Sequence, residues 1–379
     1  MKCIVIGAGA WGLPAAAEMS RRGHDVTLVD RHGPFNALSS SVGPTRLWRL
    51  ADPNPVKVRL GRRALEAMHR LAARAGTEVF LTRGLVWRDD VSLPALVDAL
   101  TAEDVEHTEV SARDVGHFFP GLRPDGRDAI WQPLAGVVLA ETSLRAQLES
   151  FSGSTVFGRE VVAVDVRSAG VRVTFGDGES VDADVVVLAA GPGAAGLLAG
   201  VGVDVELHPY LEQVVHFGDA AQPSASDALP GLFDGPHGAR PGVYGMPTPG
   251  RGYKIGFDTP LRDYRRSDED RTPDPARTKV IRDYVLESLP TVPPTVRDEQ
   301  VCVWTDSPDG NFVVDRLPGG VVLACGDHGE GFKFSALMGE VLADLAEGRT
   351  PDDDVARLSL ARLATATPRR AGPHVMGRH

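Results

Sequence analysis

The sequence predicts an α/β (α+β) chain of two lobes, a βαβ module at the N-terminus and a second lobe built on another sheet. Three observations carry this. The glycine turn Gly7-Ala8-Gly9-Ala10-Trp11-Gly12 follows an apolar β-rich run, Lys2 to Ile6, and precedes helical spacing from Leu13 to Arg22. At 379 residues with 42% hydrophobic side chains, the chain has more than one small core requires. Residues 86–137 and 207–299 differ from the rest in texture, with alternating strands, prolines and turn residues, and read as one lobe inserted in two pieces.

Taken in order, Gly7 permits the tight turn, Gly9 lets the backbone approach a pyrophosphate, and Gly12 lets the helix pack closely on the strand. Pro14 suits the first helical turn, where its missing N–H has no partner to lose. Gly23 ends that helix, and Asp25 to Asp30 forms a second strand. Asp30 stands about 20 residues past the glycines, where a carboxylate accepts hydrogen bonds from a nucleotide ribose. A dinucleotide site follows from this context, and the lack of a second complete glycine fingerprint predicts a single dinucleotide. Val161 to Val166 and Val171 to Phe175 predict a hairpin, and Asp182 to Ala189 a buried strand running into Ala190-Gly191. A charged helix is expected near Thr278 to Ser288, a solvated loop at 265–275, and a flexible tail at 366–379.

Composition removes whole classes of function. A net charge of -11 offers no basic surface for nucleic acid or an anionic membrane. No apolar run approaches the roughly 20 residues of a membrane span. Cys3, Cys302 and Cys325 are odd in number and lack metal-ligand spacing, which predicts no metal site, a reducing compartment and a cytoplasmic location.

Further segments recur in a telling order: Gly43-Pro44-Thr45-Arg46-Leu47-Trp48-Arg49, Gly136-Val137-Val138, Pro209-Tyr210, Tyr244-Gly245-Met246-Pro247, Tyr253-Lys254-Ile255-Gly256, and Cys302 through Phe332-Lys333-Phe334-Ser335. With the N-terminal turn and Asp30, they resemble the FAD-dependent amino acid oxidases of the D-amino acid oxidase superfamily, within it the monomeric sarcosine oxidase and N-methyltryptophan oxidase branch. The resemblance implies a Rossmann-like FAD-binding domain from residues 1–85, 138–206 and 300–365, and a substrate domain on a mostly antiparallel sheet from 86–137 and 207–299. It also implies oxidation of a C–N bond to an imine, with O2 reduced to H2O2, on a small amino or imino acid. A monomer is compatible with it.

The same resemblance distributes roles. Cys302 matches a cysteine tethered to the flavin 8α-methyl group, although a lone cysteine also reads as a buried structural residue. Arg49 and Lys333 match a pair that clamps the substrate carboxylate. Arg46 matches an arginine over the flavin ring, and Lys254 a lysine that promotes electron transfer to oxygen. Tyr244 reads as a pocket wall or as a core tyrosine. The cofactor set extends to Arg31, Ser40, Val161, Ala190, Gly191, Gly329 and Gly331.

Two positions depart from the pattern, with Glu330 and Asp258 standing where sarcosine oxidases carry histidines. Placed in the substrate pocket, these carboxylates predict a substrate that is N-substituted, cyclic or basic, with a donor group for them to recognise, unless Arg or Lys neighbours neutralise them both. His328, two residues away, is a nearby imidazole able to compensate in part. Competing readings are a cyclic imino acid oxidase or dehydrogenase of a natural-product pathway, and a dehydrogenase passing electrons to a protein partner.

Overall fold

The computed structural model describes residues 1–265 and 269–364, so the expected tail at 366–379 and part of the charged loop lie outside the described residues. A six-stranded sheet runs in the order Val313–Leu317, Val321–Cys325, Val185–Leu188, β1 (Lys2–Ile6), β2 (Asp25–Asp30), Ser154–Phe157. All neighbours are parallel except the first pair. Its inner strands Val321–Cys325 and Val185–Leu188, and β1 beyond Lys2, are apolar along their length because both faces are covered. On one face Cys3, Val5, Val26 and Leu28 pack with α1 (Gly12–Arg21) and the helix Ser335–Ala346. On the other, Ile4, Ile6, Val186 and Leu323 meet Val164, Val171 and Val173 of a three-stranded antiparallel sheet.

The predicted hairpin forms as Val161–Arg167 paired with Gly170–Phe175. The strand expected at Asp182 to Ala189 is instead two strands, Ser180–Ala183 in the small sheet and Val185–Leu188 in the large parallel one. The break falls at Asp184, whose N–H donates to Lys2 O at 2.9 Å while its carboxylate accepts from Lys2 N at 2.8 Å. Contacts this distant in sequence override local β-propensity.

A second sheet of nine strands is antiparallel at every pairing but one, Gly231–Asp234 beside Leu85–Arg88. Its outer face carries Val215, Phe217, Tyr253 and Ile255 against Ile281, Tyr284 and Val285 of the helix Pro275–Ser288. Period-two alternation turns Glu212, Val214, Met246, Lys254 and Cys302 the other way, into a cleft shared with the parallel sheet. Strand Val296–Asp306 pairs along its length with His208–Phe217, so the boundary expected at residue 300 falls inside a strand of this sheet. A fourth, small sheet of Thr45–Trp48, Gly136–Leu139 and Phe80–Thr82 carries Arg46 to the cleft. The helix Pro55–Ala75 starts with Pro55 behind Asn54, whose side chain accepts from Val56 N, and stops at Gly76 with φ 62°.

Candidate active site in the cleft between the sheets

At one end the cleft is lined by Gly7, Gly9, Asp30, Arg31, Ser40, Val161, Ala190 and Gly191, all expected cofactor positions. Gly7 has φ 106°, and a Cβ there would lie 2.2 Å from Ala189 O. Gly12 does not line the cleft; a Cβ on it would sit 1.9 Å from Gly7 O, so it sets the approach of α1 to β1. The Asp30 carboxylate accepts from Ala8 N, His32 N and Gly33 N at 2.8, 2.8 and 2.7 Å, which locks it at the cleft wall with acceptor capacity left for hydroxyls. Ser40 Oγ is buried without a hydrogen-bond partner among the described residues, an orphan that a polar ligand would satisfy. Glycines closing on a helix N-terminus, a ribose-type carboxylate and this unmet hydroxyl together fit a dinucleotide.

Midway, Cys302 stands opposite Glu212 across paired strands. Arg46 donates to Thr45 O, Ser40 O and Val42 O at 2.9, 2.9 and 2.6 Å and lies 5.3 Å over the Phe332 ring. Lys254 Nζ donates to Thr45 O. Burial, then Arg46, pushes Lys254 well below its usual range, and burial pushes the Cys302 thiol up while Arg46 and Lys254 draw it back. Tyr244, Gly329, Gly331 and Lys333 also line this wall.

Glu212 and Asp327, two of the acids lining the cleft, had no place in the expected set. Glu212 is fully buried; Phe257 N donates to its Oε1 at 3.3 Å, its Oε2 has no partner among the described residues, and burial holds its carboxyl well above the usual range. Asp327, accepting from Gly329 N at 2.8 Å, is pushed up to about 7 chiefly by burial. Glu212 shares the inward period of Val214, but the strand also carries His208, Gln213 and His216, so no local signal marks the acid as buried.

At the other end five buried charged side chains form one cluster. Glu330 accepts from Lys57 Nζ at 2.7 Å through Oε1 and from Lys333 Nζ at 2.6 Å through Oε2, with Arg49 Nη2 3.7 Å from Oε2. Asp52 Oδ2 lies 3.1 Å from Arg49 Nη1 and 3.6 Å from Lys333 Nζ. Burial works against the charged form of Asp52, yet Lys333 and Arg49 hold it below the usual range. Burial and Arg49 lower Lys333. Arg49 lies 4.6 Å over Trp87, which stacks on Phe233 at 3.9 Å, so its guanidinium plane is fixed by aromatic packing. Lys57, on the helix Pro55–Ala75, was not foreseen, since a lysine in a helix reads as solvated.

Three expectations need correction here. Glu330 faces protein cations rather than standing ready for a basic group on a substrate. Asp258 does not line the cleft: the Lys254 strand ends at Phe257, alternation stops with it, and the carboxyl packs where a Cβ on Gly242 would come within 2.1 Å. His328 points its Nδ1 to Asp306 Oδ1 at 2.5 Å and away from the clamp, its backbone held at φ 49°.

Comparison with known proteins agrees with this geometry. Over 380 residues the chain is 29% identical to the monomeric sarcosine oxidase of Bacillus sp. (strain B-0618), covering 95% of this chain and 96% of that one. It is 26% identical to the N-methyl-L-tryptophan oxidase of Citrobacter koseri, with 95% and 98% covered. Its fold matches the solved structure of NikD, an unusual amino acid oxidase essential for nikkomycin biosynthesis, with TM-score 0.82, 23% identity and 98% of each chain covered. Among the described residues no helix is long and apolar enough to cross a membrane. A family model matches residues 2–345, and the chain belongs to the FAD dependent oxidoreductase family.

Proposed function

We propose that the protein oxidises the C–N bond of a small amino acid bearing an N-substituted or cyclic amine to the imine, with O2 reduced to H2O2. The observation that carries it is the meeting, in one cleft, of the glycine-turn dinucleotide site with Cys302 and Lys254 and with the buried Arg49 and Lys333 pair. When bound, FAD supplies hydride acceptance and electron transfer to oxygen. The residues do the rest. Gly7, Gly9, Asp30, Ser40, Ala190 and Gly191 would hold the dinucleotide, and Cys302 would tether it through a thioether. Arg49 and Lys333 orient the substrate carboxylate, converting a bimolecular encounter into a positioned one. Arg46 places a fixed positive charge at mid-cleft, and Lys254 serves the oxygen step. With Glu330 already facing cations and Asp258 outside the cleft, the geometry supports N-substituted and cyclic amines over basic ones.

The test begins with the visible spectrum of the purified protein before and after acid precipitation. Yellow colour retained in the pellet, and released to the supernatant by Cys302→Ser, is the expected result. A colourless protein that FAD does not reconstitute ends the proposal. Peroxide formation in a screen of N-methyl and cyclic amino acids then identifies substrate, whereas turnover that reduces an artificial acceptor without consuming oxygen points to a dehydrogenase.

A further inference from the structure

We propose that Glu330, anchored from behind by Lys57, sets the charge of the carboxylate clamp so that it admits a substrate with one carboxylate and disfavours a substrate with two. This rests on the amino acid oxidase reading above. Arg49, Lys333 and Glu330 line the cleft, whereas Lys57 and Asp52 stand behind them. The charged groups that weigh on Lys333 are Arg49, Glu330, Asp52 and Lys57, so the cluster is electrostatically one unit. Arg49, Lys57 and Lys333 bring three positive charges and Glu330 and Asp52 two negative, leaving one.

A single substrate carboxylate neutralises that remainder. A second carboxylate leaves an uncompensated negative charge among side chains that are at most 8% exposed, where water screens little. Glu330 need not leave for the substrate to bind, because an ammonium has three donors and a guanidinium five. Lys333 gives one of its donors to Glu330 Oε2, and Lys57 holds Oε1 so that this carboxylate stays beside the clamp. Specificity is then set by a charge that does not bind substrate itself, and Lys57 is its positioning residue.

The experiment uses the holoenzyme and two probes, acetate and malonate, titrated at pH 8 and followed by the flavin absorbance change. Wild type is expected to bind acetate more tightly than malonate. Glu330→Gln, which keeps shape and removes the charge, is expected to shift the affinity ratio toward malonate by roughly tenfold or more, the size of one partly buried unit charge. Lys57→Met, which brings the cluster to neutrality, is expected to weaken acetate and raise KM for the amino acid substrate more than it lowers kcat. If Glu330→Gln does not fold, Glu330→His gives a second side chain uncharged at pH 8. An unmoved malonate-to-acetate ratio in a folded variant overturns the inference. That result with amino acid turnover intact leaves the proposed function standing, while failure to oxidise any amino acid overturns that function and leaves the anion ratio still decisive for the charge.

Discussion

Lys254 shows how far the chemistry of one side chain depends on what covers it. Its neighbours Tyr253 and Ile255 fill a core on the far side of the strand, so the lysine is delivered to the cleft with 3% exposure. Lys254→Met is expected to slow reoxidation of the reduced flavin by O2 roughly a hundredfold, the order of one lost electrostatic donor. Stopped-flow absorbance checks this, and a loss under about threefold removes Lys254 from the oxygen step. Lys254, Arg49 and Lys333 were legible because each sits in a short motif. Glu212 and Lys57 were not. An acid in a strand and a lysine in a helix both read as solvent-facing until tertiary packing buries them, and no local pattern reports that packing. Asp258 misled for the converse reason, since a position matched by motif lay one residue past the end of its strand.

At the scale of elements, the β1–turn–α1–β2 unit was readable because each of its parts has a local cause. Gly12→Ala tests the tightest of them. The added carbon meets Gly7 O at 1.9 Å, and backbone has nowhere to yield without lifting α1 off β1. We expect a loss of about 1–3 kcal/mol in thermal or denaturant melts and a lower flavin-to-protein absorbance ratio after purification. A variant that melts like wild type with full flavin content contradicts that account. The order of the nine-stranded sheet was not readable. Its parallel pairing of Leu85–Arg88 with Gly231–Asp234 joins the two inserted pieces of sequence, and alternation within a strand says nothing about its neighbour. The split of the expected strand at Asp184 has the same origin, for its partner is Lys2.

The whole molecule places its reactive groups where two sheets meet, and burial there carries a stability cost that depends on pH. His216, on the strand beside Lys254, is fully buried, and neither ring nitrogen has a partner among the described residues. Burial, then Lys254, Arg251 and Arg46, lowers its pKa from 6.5 to about 3. Between those values the unfolded chain takes up a proton that the folded chain refuses, so stability falls as pH drops through that window. His216→Leu abolishes this linkage and is expected to add about 2 kcal/mol at pH 5 beyond any change at pH 8, read from melts at both. An equal effect at the two pH values contradicts it. Across the molecule, Trp11 Nε1 donates to Gly331 O at 2.9 Å and Ser335 Oγ to Ala10 O at 2.6 Å, tying the first turn of the chain to one near its end. During synthesis this means that the N-terminal turn leaves the ribosome long before the wall it needs exists. Until Val321–Cys325 emerges, Val185–Leu188 keeps a bare sheet edge. Cofactor capture therefore waits on residues as far along as Ser335, and until Val321–Cys325 is in place that edge stays open to pairing with another chain.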